Sequence, residues 1–189
     1  MKEVAIINYG AGNLASIINA IENLNFKPVV LDKPEKKKLF SHVILPGVGA
    51  FGKLSKNLID LGFKDYLGEI NQKNNFILGI CIGMQLLFEK SEESISQKGL
   101  GLLHGKIQKF RFEEKTNLPL PHVGFSKVFH KNTKIWKDIP DSSFFYFIHS
   151  FHLKKASENI NFAMSNYGEN FVSFIEKNNI FGTQFHPEK

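Results

Sequence analysis

The hydrophobic positions in the first half of the chain follow two different periodicities. Apolar runs of strand length stand at residues 4–8, 29–31, 42–45 and 76–80. After the first run, one helical stripe is formed by Leu14, Ile17, Ile18, Ile21 and Leu24. Helical patterns also run over about 51–61 and 63–71, and another is expected to begin near Pro34 and include the lysines at 36–38. Strands that alternate with helices in this way predict a doubly wound, mostly parallel α/β sheet flanked by helices.

The pattern changes after Glu93. Short apolar segments separated by turn residues predict strands at residues 105–110, 123–129, 144–148, 162–165, 171–175 and 180–184. We therefore expect a β-rich C-terminal half that returns to the sheet. Neither a repeat nor a convincing linker divides the chain, so residues 1–189 are expected to form a single domain.

Composition narrows the class of protein. A chain of 189 residues with 42% hydrophobic residues can bury one substantial core. Its single cysteine excludes an internal disulfide and suggests a reducing compartment, and no continuous apolar run has the length of a membrane span. We expect a cytoplasmic protein that does not associate with membranes.

The formal net charge of +6 suggests nucleic acid as one possible partner. The basic residues, however, are scattered and nearly all lysine, with Arg111 the one arginine. We therefore favour a solvated surface and expect no nucleic acid partner.

The single cysteine lies in a sequence that suits a nucleophile. Gly79 and Gly83 flank Cys81 at two residues on either side, between a predicted strand and a helix expected to begin near Met84. Such a turn is too tight for side chains at its flanks; it points the nucleophile into solvent and places the sulfur near a helix N-terminus, which favours thiolate. A structural cysteine buried in a glycine-rich turn is the alternative interpretation.

A cysteine nucleophile needs a base, because its ordinary pKa of about 8.5 leaves little thiolate at neutral pH. Among seven histidines, His186 stands out, since Glu188 follows at the spacing that shares one side of an extended backbone. Pro187 favours that geometry. We expect the carboxylate to fix one tautomer while the other ring nitrogen faces Cys81. A surface turn at the chain end is the alternative.

Acyl chemistry also needs an oxyanion hole. The elbow geometry supplies the N–H of Ile82 as one donor. The loop 46–49, Pro-Gly-Val-Gly, follows a neighbouring predicted strand, and its glycines would permit a peptide flip that turns a second N–H toward the site. An ordinary turn after a strand is the alternative.

Together these motifs resemble the class I, or triad, glutamine amidotransferases. Within that family, residues 8–14, 84–93, 121–124, 146–150 and 184–189 are similar to the glutaminase subunits of imidazole glycerol phosphate synthases. The resemblance implies hydrolysis of L-glutamine to glutamate and ammonia. Cys81 would form a γ-glutamyl thioester, His186 would shuttle protons and Glu188 would orient it.

The resemblance assigns further roles, with neither metal nor cofactor. The oxyanion would be held by N–H groups near Val48 and Gly49, together with Ile82. The glutamine-binding positions would be Gln85, Glu93, His149, Ser150 and Phe151. Among these, Glu93 would pair with the ammonium group of the substrate.

The resemblance also implies a heterodimer with a (β/α)8 synthase/cyclase subunit in histidine biosynthesis. Ammonia is largely protonated in neutral water, so it would pass to that subunit through a dry channel. The partner face would include Asn13, His122, Phe125 and Lys189.

The chain departs from the family pattern at several positions. Phe125 and Ser126 replace a usual tryptophan and asparagine, Phe151 replaces a tyrosine, and Ala15 replaces a larger polar residue. Because two of these lie on the expected docking face, a paralogue supplying ammonia to another acceptor, such as a sugar nucleotide in surface-glycan synthesis, stays an alternative. The chain also stops at Lys189 where the family continues for a further helix, so a truncated sequence and a short protein are both open.

Two other classes fit less well. A cysteine hydrolase or peptidase on a similar sheet would have no need for the set of Gln85, Glu93, His149 and Ser150. A non-enzymatic relative would be expected to have lost part of the triad, which is complete.

Overall fold

The computed structural model describes residues 1–35, 38–112, 117–131 and 133–189. The strands are β1 (Glu3–Ile7), β2 (Lys27–Leu31), β3 (His42–Leu45), β4 (Phe76–Ile80), β5 (Phe88–Ser91), β6 (Leu103–Lys109), β7 (His122–Val128), β8 (Ser143–His149), β9 (Phe151–Leu153), β10 (Asn161–Tyr167), β11 (Glu169–Lys177) and β12 (Ile180–Thr183). The helices are α1 (Leu14–Asn23), α2 (Phe51–Asp60), α3 (Phe63–Gln72) and α4 (Ile82–Leu86), and a 3-10 turn spans Lys134–Trp136.

One mixed sheet organises the described residues. Its strand order is β2-β1-β3-β4-β12-β11-β9-β6-β5, with β10 paired to β11. The neighbours from β2 to β12 are parallel, whereas β11 runs antiparallel to β12, β9 and β10. The central strands β1, β3 and β4 carry apolar residues on both faces, as strands covered on two sides do. The predicted α/β fold with a β-rich second half is confirmed.

Strands β7 and β8 form a separate antiparallel hairpin, in register from His122 opposite His149 to Val128 opposite Ser143. Isolated bridges tie this hairpin to the rest of the fold, between Tyr146 and His186 and, just after β7, between Phe129 and Met164. The hairpin therefore reaches the segment that ends in Glu188.

Two buried clusters differ in composition. The larger one is mostly aliphatic, packs α2, α3 and α4 against the sheet, and includes Leu45, Leu54, Leu58, Leu67 and Met84. The smaller one is mostly aromatic, packs beneath the hairpin, and includes Phe110, Trp136, Phe147, Phe171 and Phe185. A third buried cluster contains Cys81 together with Val4, Ile6, Ile17, Ile44 and Ile80.

Two predicted helices are wrong, and two strands, β5 and β9, were not predicted. At the helix expected from Pro34, the described residues 34–35 and 38–40 are not helical, because the chain extends to bury Phe40 ahead of β3; Lys36 and Lys37 lie outside the described residues. The helix expected near Met84 has only five residues, because the carbonyls of Leu86 and Leu87 accept hydrogen bonds from the N–H groups of Leu100 and Leu103, and β5 then begins at Phe88. Strand β9 is too short to show a period.

No helix among the described residues is long and apolar enough to cross a bilayer.

Candidate active site

Cys81 lies in a strained turn between β4 and α4. Its φ is 52° and its ψ is −109°, a left-handed conformation that non-glycine residues seldom adopt. Its N–H donates to the Thr183 carbonyl at 2.7 Å, which fixes the turn to β12. A Cβ on Gly79 would lie 2.7 Å from the Gly83 carbonyl, and a Cβ on Gly83 would lie 1.9 Å from the Leu45 oxygen. Close packing therefore leaves no room for a side chain at Gly79 or Gly83, as the sequence predicts.

The surroundings of the sulfur differ from the prediction in two ways. Cys81 is only 5% exposed and lines the wall of a pocket instead of pointing into solvent. The following helix α4 has five residues, so few aligned peptide dipoles act on the sulfur. Two local hydrogen bonds contact the sulfur: Gln184 Nε2 donates to Sγ at 3.7 Å, and Cys81 in its protonated thiol form donates to the Ile148 carbonyl at 3.8 Å.

His186 and Glu188 form a buried pair behind the cysteine. The Nδ1 atom of His186 lies 2.8 Å from Glu188 Oε1, and both side chains are 3% exposed. The second ring nitrogen, Nε2, is buried without a hydrogen bond of ordinary geometry to any described residue. Burial disfavours the charged ring, but interactions with Cys81 and Glu188 outweigh it and raise the pKa of His186 to about 9. The Nδ1 atom of His186 therefore faces the carboxylate of Glu188, as expected for a ring that this carboxylate orients.

Asn13 is placed against this pair. Its Nδ2 donates to Glu188 Oε1 at 2.7 Å, the same oxygen that faces His186. Asn13 precedes α1 in a left-handed conformation, with φ of 74°. Sequence reasoning put Asn13 only on a partner face and missed this contact. The available signal was its position after β1, because the carboxyl ends of neighbouring parallel strands meet at one edge of the sheet.

The loop Pro46–Gly49 is fixed at both ends. The Tyr9 hydroxyl donates to the Pro46 carbonyl, and the Gly12 N–H donates to the Val48 carbonyl at 3.3 Å. A Cβ on Gly47 would lie 2.0 Å from Ile82 Cγ2, so only glycine lets the loop approach the start of α4. The proposed oxyanion residues Val48, Gly49 and Ile82 therefore share one wall.

A cavity of about 220 Å³ collects the predicted residues around the sulfur. It is lined by Val48, Gly49, Cys81, Ile82, Gln85, Glu93, Pro121, Ile148, His149, Ser150 and Phe151. Pro121 and Ile148 are the lining residues that sequence reasoning did not propose. A larger cavity of about 520 Å³ lies elsewhere, but its walls are almost entirely apolar and bring no candidate nucleophile or carboxylate. The small cavity is therefore the candidate active site.

Two polar side chains in the cavity have atoms suited to a ligand. Gln85 Nε2 donates to the Phe151 carbonyl at 2.8 Å and to Gln184 Oε1 at 2.9 Å, which leaves Gln85 Oε1 buried and unpaired among the described residues. Glu93 Oε2 accepts the Phe51 N–H at 3.1 Å. Burial raises the pKa of Glu93, as expected for a carboxylate that lacks a neighbouring cation. Both groups would accept hydrogen bonds from an ammonium or amide.

His149 lines the cavity, but its ring nitrogens are engaged elsewhere. Nδ1 lies 2.9 Å from the Phe151 carbonyl, and Nε2 lies 3.3 Å from His122 Nδ1. Burial lowers the pKa of His149 to about 3 and that of His122 to about 4, so both rings are neutral at neutral pH. The imidazole of His149 therefore serves as a wall of the cavity and offers no unpaired nitrogen.

The four residues predicted for a partner face divide into two pairs. Phe125 is 62% exposed, and Lys189 is exposed with its Nζ 3.4 Å from Ser16 Oγ. Asn13 reaches the buried carboxylate of Glu188, and His122 is 2% exposed inside the hairpin. The side chains of Phe125 and Lys189 therefore lie on the surface, whereas Asn13 contacts a buried carboxylate and His122 is itself buried.

Comparison with known proteins agrees with this geometry. The family described as glutamine amidotransferase class-I matches residues 5–189. A solved structure described as a glutamine amidotransferase aligns with a TM-score of 0.76 at 16% identity, covering 98% of this chain and 90% of the other. PurLQS from Thermotoga maritima aligns with a TM-score of 0.74 at 17% identity, covering 99% and 88%; both likenesses concern the fold. The chain belongs to the class-I glutamine amidotransferase family.

Curated relatives narrow the assignment. Imidazole glycerol phosphate synthase subunit HisH of Chlorobium chlorochromatii is 44% identical, covering 98% of this chain and 92% of the relative. HisH of Methanocaldococcus jannaschii is 42% identical over 98% and 91%, and HisH of Bacillus subtilis is 39% identical over 98% and 89%. Within its class the chain belongs with the HisH subunits. The predicted family and the predicted enzyme class, glutamine amidotransferase, are confirmed, and the glycan paralogue is not favoured.

Proposed function

We propose that this chain is the glutaminase subunit of an imidazole glycerol phosphate synthase in histidine biosynthesis. It hydrolyses L-glutamine and delivers the ammonia to a (β/α)8 synthase/cyclase subunit in a heterodimer. The observation that carries the chemistry is one small cavity lined by both Cys81 and Glu93, with the His186–Glu188 pair next to the cysteine. Residues 1–189 act as one amidotransferase domain in the cytoplasm.

Glutamine binds with its ammonium group against Glu93. Burial without a neighbouring cation makes this carboxylate a strong partner for a positive charge. Gln85 Oε1, buried and unpaired, accepts an N–H of the same substrate. His149, Ser150 and Phe151 close the opposite wall, so the side-chain amide of glutamine is directed toward Sγ.

The first half-reaction forms a thioester. The Cys81 thiolate attacks the amide carbon, a C–S bond forms, and the carbonyl electron pair moves to oxygen. The N–H of Ile82 and an N–H of the Val48–Gly49 segment stabilise that oxyanion. His186 donates its proton to the amide nitrogen, the C–N bond breaks, and ammonia leaves.

The second half-reaction restores the enzyme. Neutral His186 now accepts a proton from water, whose oxygen attacks the thioester carbon. The C–S bond breaks, glutamate leaves, and the thiolate is again paired with imidazolium. A His186 pKa of about 9 supports this cycle, because the ring is protonated at neutral pH before each attack. Glu188 orients the ring, and Asn13 holds Glu188.

The surface around Phe125 and Lys189 docks the barrel subunit. Phe125 offers exposed apolar area, and Lys189 offers a cation immediately after the triad carboxylate. Asn13 and His122 lie beneath this surface, so docking acts on them through their neighbours. Neither nucleic acid nor a membrane is a partner in this proposal.

The test is release of glutamate, measured for the chain alone and for its complex with the barrel subunit loaded with its nucleotide. We expect little turnover alone and strong stimulation in the loaded complex. Cys81→Ala should abolish glutamine-dependent synthesis while synthesis from added ammonia by the partner continues. High turnover without a partner, or loss of both syntheses in Cys81→Ala, would contradict the subunit role.

A further inference from the structure

We propose that Ser126 is a positioning residue for the glutamine pocket, acting through a chain of hydrogen bonds that runs through His122 and His149 to the Phe151 carbonyl. Ser126 lies on β7 beside the exposed Phe125, whereas Phe151 lines the cavity in front of Cys81. The inference rests on the proposed function insofar as the pocket holds glutamine.

The direction of every bond in this chain follows from its inner end. A carbonyl oxygen only accepts, so His149 Nδ1 carries the proton that reaches Phe151, at 2.9 Å. Neutral His149 then has a lone pair on Nε2, which requires His122 Nδ1, 3.3 Å away, to donate. His122 Nε2 is consequently an acceptor, and the Ser126 hydroxyl, 2.9 Å away, donates to it. A single donor on the hairpin, the Ser126 hydroxyl, is thus consistent with the Nδ1–H tautomer of both His122 and His149.

The Phe151 carbonyl connects this chain to the nucleophile. It also accepts a hydrogen bond from Gln85 Nε2, at 2.8 Å. The same Nε2 donates to Gln184 Oε1, and Gln184 Nε2 donates to Cys81 Sγ at 3.7 Å. A displacement of this carbonyl therefore changes the pocket wall and the hydrogen bonding of the sulfur together.

Aromatic packing holds the two imidazoles in place. The His122 ring is stacked between Tyr167, with centroids 4.0 Å apart, and Phe147, with centroids 5.1 Å apart. The His149 ring meets Phe110 at 5.2 Å and Phe171 at 5.1 Å. Burial also keeps the pKa of each histidine far below neutrality, so a second proton cannot fill the free nitrogen. The remaining freedom is the choice of tautomer, which the hydrogen bonds decide.

Removal of the Ser126 hydroxyl leaves His122 Nε2 without its donor. A His122 tautomer protonated on Nε2 then competes, and in that tautomer two lone pairs face each other between His122 and His149. That repulsion is relieved when His149 also moves its proton to Nε2 and donates to His122 Nδ1, and the Phe151 carbonyl then keeps only its bond from Gln85. We expect weaker glutamine binding with little change in the chemical step.

The first measurement is the tautomeric state of histidines in the ¹⁵N-labelled protein, read by long-range ¹H–¹⁵N NMR. In the native sequence, His122 and His149 should both be neutral and protonated on Nδ1 at pH 7. Ser126→Ala should move His122 toward the Nε2–H form, and Ser126→Thr, which keeps a hydroxyl, should restore Nδ1–H. Protonation of either ring on Nε2 in the native protein would overturn the relay.

The second measurement is the kinetics of glutamate release in the loaded complex. Loss of one hydrogen bond in Ser126→Ala should raise KM for glutamine roughly 3- to 10-fold and leave kcat within about 2-fold. Ser126→Thr should return KM to the native value. The matched control is Ser143→Ala on the facing strand, because that hydroxyl donates to the Pro140 carbonyl outside the relay; it should leave KM unchanged.

An equal KM for Ser126→Ala and Ser143→Ala would overturn the positioning role. If the complex releases no glutamate, the proposed function fails, and the NMR measurement still decides the relay by itself. The NMR measurement also decides the relay if Ser126→Ala does not fold, because the tautomers of His122 and His149 in the native protein can by themselves refute the proposed bond directions.

Discussion

The two sides of the active-site cavity are built in different ways. On the elbow side, Cys81 is held by backbone contacts so close that Gly79 and Gly83 cannot carry a side chain. On the wall side, hydrogen bonds hold His149 to the neutral ring of His122 and to the Phe151 carbonyl. Aromatic rings such as Phe171 pack against the His149 imidazole. Cys81, the proposed nucleophile, is therefore positioned by steric exclusion, and the proposed substrate wall depends on which imidazole nitrogens carry protons.

The largest effect is expected from a methyl group added on the elbow side. Gly83→Ala would bring Cβ within 1.9 Å of the Leu45 oxygen, so β3 or α4 must shift. We expect a loss of about 3 kcal/mol or more in the free energy of unfolding, measured by urea denaturation. Gly68→Ala is the control, since its Cβ meets no atom within 4 Å and lies inside α3.

That control should stabilise the protein by about 0.5–1 kcal/mol, as alanine does in a helix interior. Equal stability changes at the two glycines would show that the elbow tolerates a side chain, and steric exclusion would then not explain how Cys81 is held.

The next effect concerns orientation of the proton carrier. Glu188→Ala should lower kcat by roughly 10²- to 10⁴-fold, less than loss of Cys81 itself, because orientation is one part of catalysis. It should also lower the pKa of His186, shifting the alkaline limb of the pH–rate profile downward. An unchanged profile would separate Glu188 from the protonation of His186.

A smaller change is expected when Asn13 loses its amide. Asn13→Gly removes the 2.7 Å bond to Glu188 but keeps the left-handed backbone without strain. We expect kcat to fall about 10-fold, in line with one charge-assisted hydrogen bond. Asn25→Gly is the matched control, because Asn25 is also left-handed, with φ of 60°, but exposed. Equal effects of the two substitutions would remove Asn13 from the site.

The elbow side was more predictable from the sequence than the wall side. The glycines around Cys81, the loop 46–49 and the pair His186–Glu188 are local patterns, each set by a few neighbouring residues. The relay from Ser126 to Phe151 joins residues that are distant along the chain and come together only through hairpin pairing and aromatic packing. The same reason explains why the contact between Asn13 and Glu188 was not predicted, and why pairing with residues 100–103 ended the predicted helix.

Acid should lower the free energy of unfolding through three buried histidines, and alkali should lower it through His186. Burial lowers the pKa of His122, His149 and His152 to about 4, 3 and 4, so these rings bind fewer protons folded than unfolded. Their stabilising contribution is present above about pH 6.5 and is lost as pH falls toward 4. His186, with a pKa raised to about 9, contributes below about pH 6.5 and loses that contribution as pH rises through 9.

Urea unfolding between pH 4.5 and 9.5 measures both limbs. We expect maximal stability near pH 6.5, with one decline on the acid side and another that runs from about pH 6.5 to 9. Stability that increases on acidification from pH 6.5 to 5 would contradict the assignment of neutral imidazoles to the wall.

The smallest effect is expected from a substitution of His152, a histidine outside the relay. His152 is fully buried against Phe110, with centroids 4.2 Å apart, and neither ring nitrogen has a hydrogen-bond partner among the described residues. His152→Phe should change the free energy of unfolding at pH 7.5 by less than about 1 kcal/mol. At pH 5 the variant should be more stable than the native protein, because it no longer takes up a proton on unfolding. Lower stability at both pH values would show that the imidazole interacts favourably with Glu169, whose Oε1 lies 3.9 Å from Nε2.

The backbone of Cys81 sets folding and chemistry against each other at a single position. A φ of 52° is relaxed for glycine and strained for cysteine, so Cys81→Gly should yield a chain that is more resistant to unfolding and unable to release ammonia. A strained turn of this kind is therefore a marker of function that a screen for stability alone would discard.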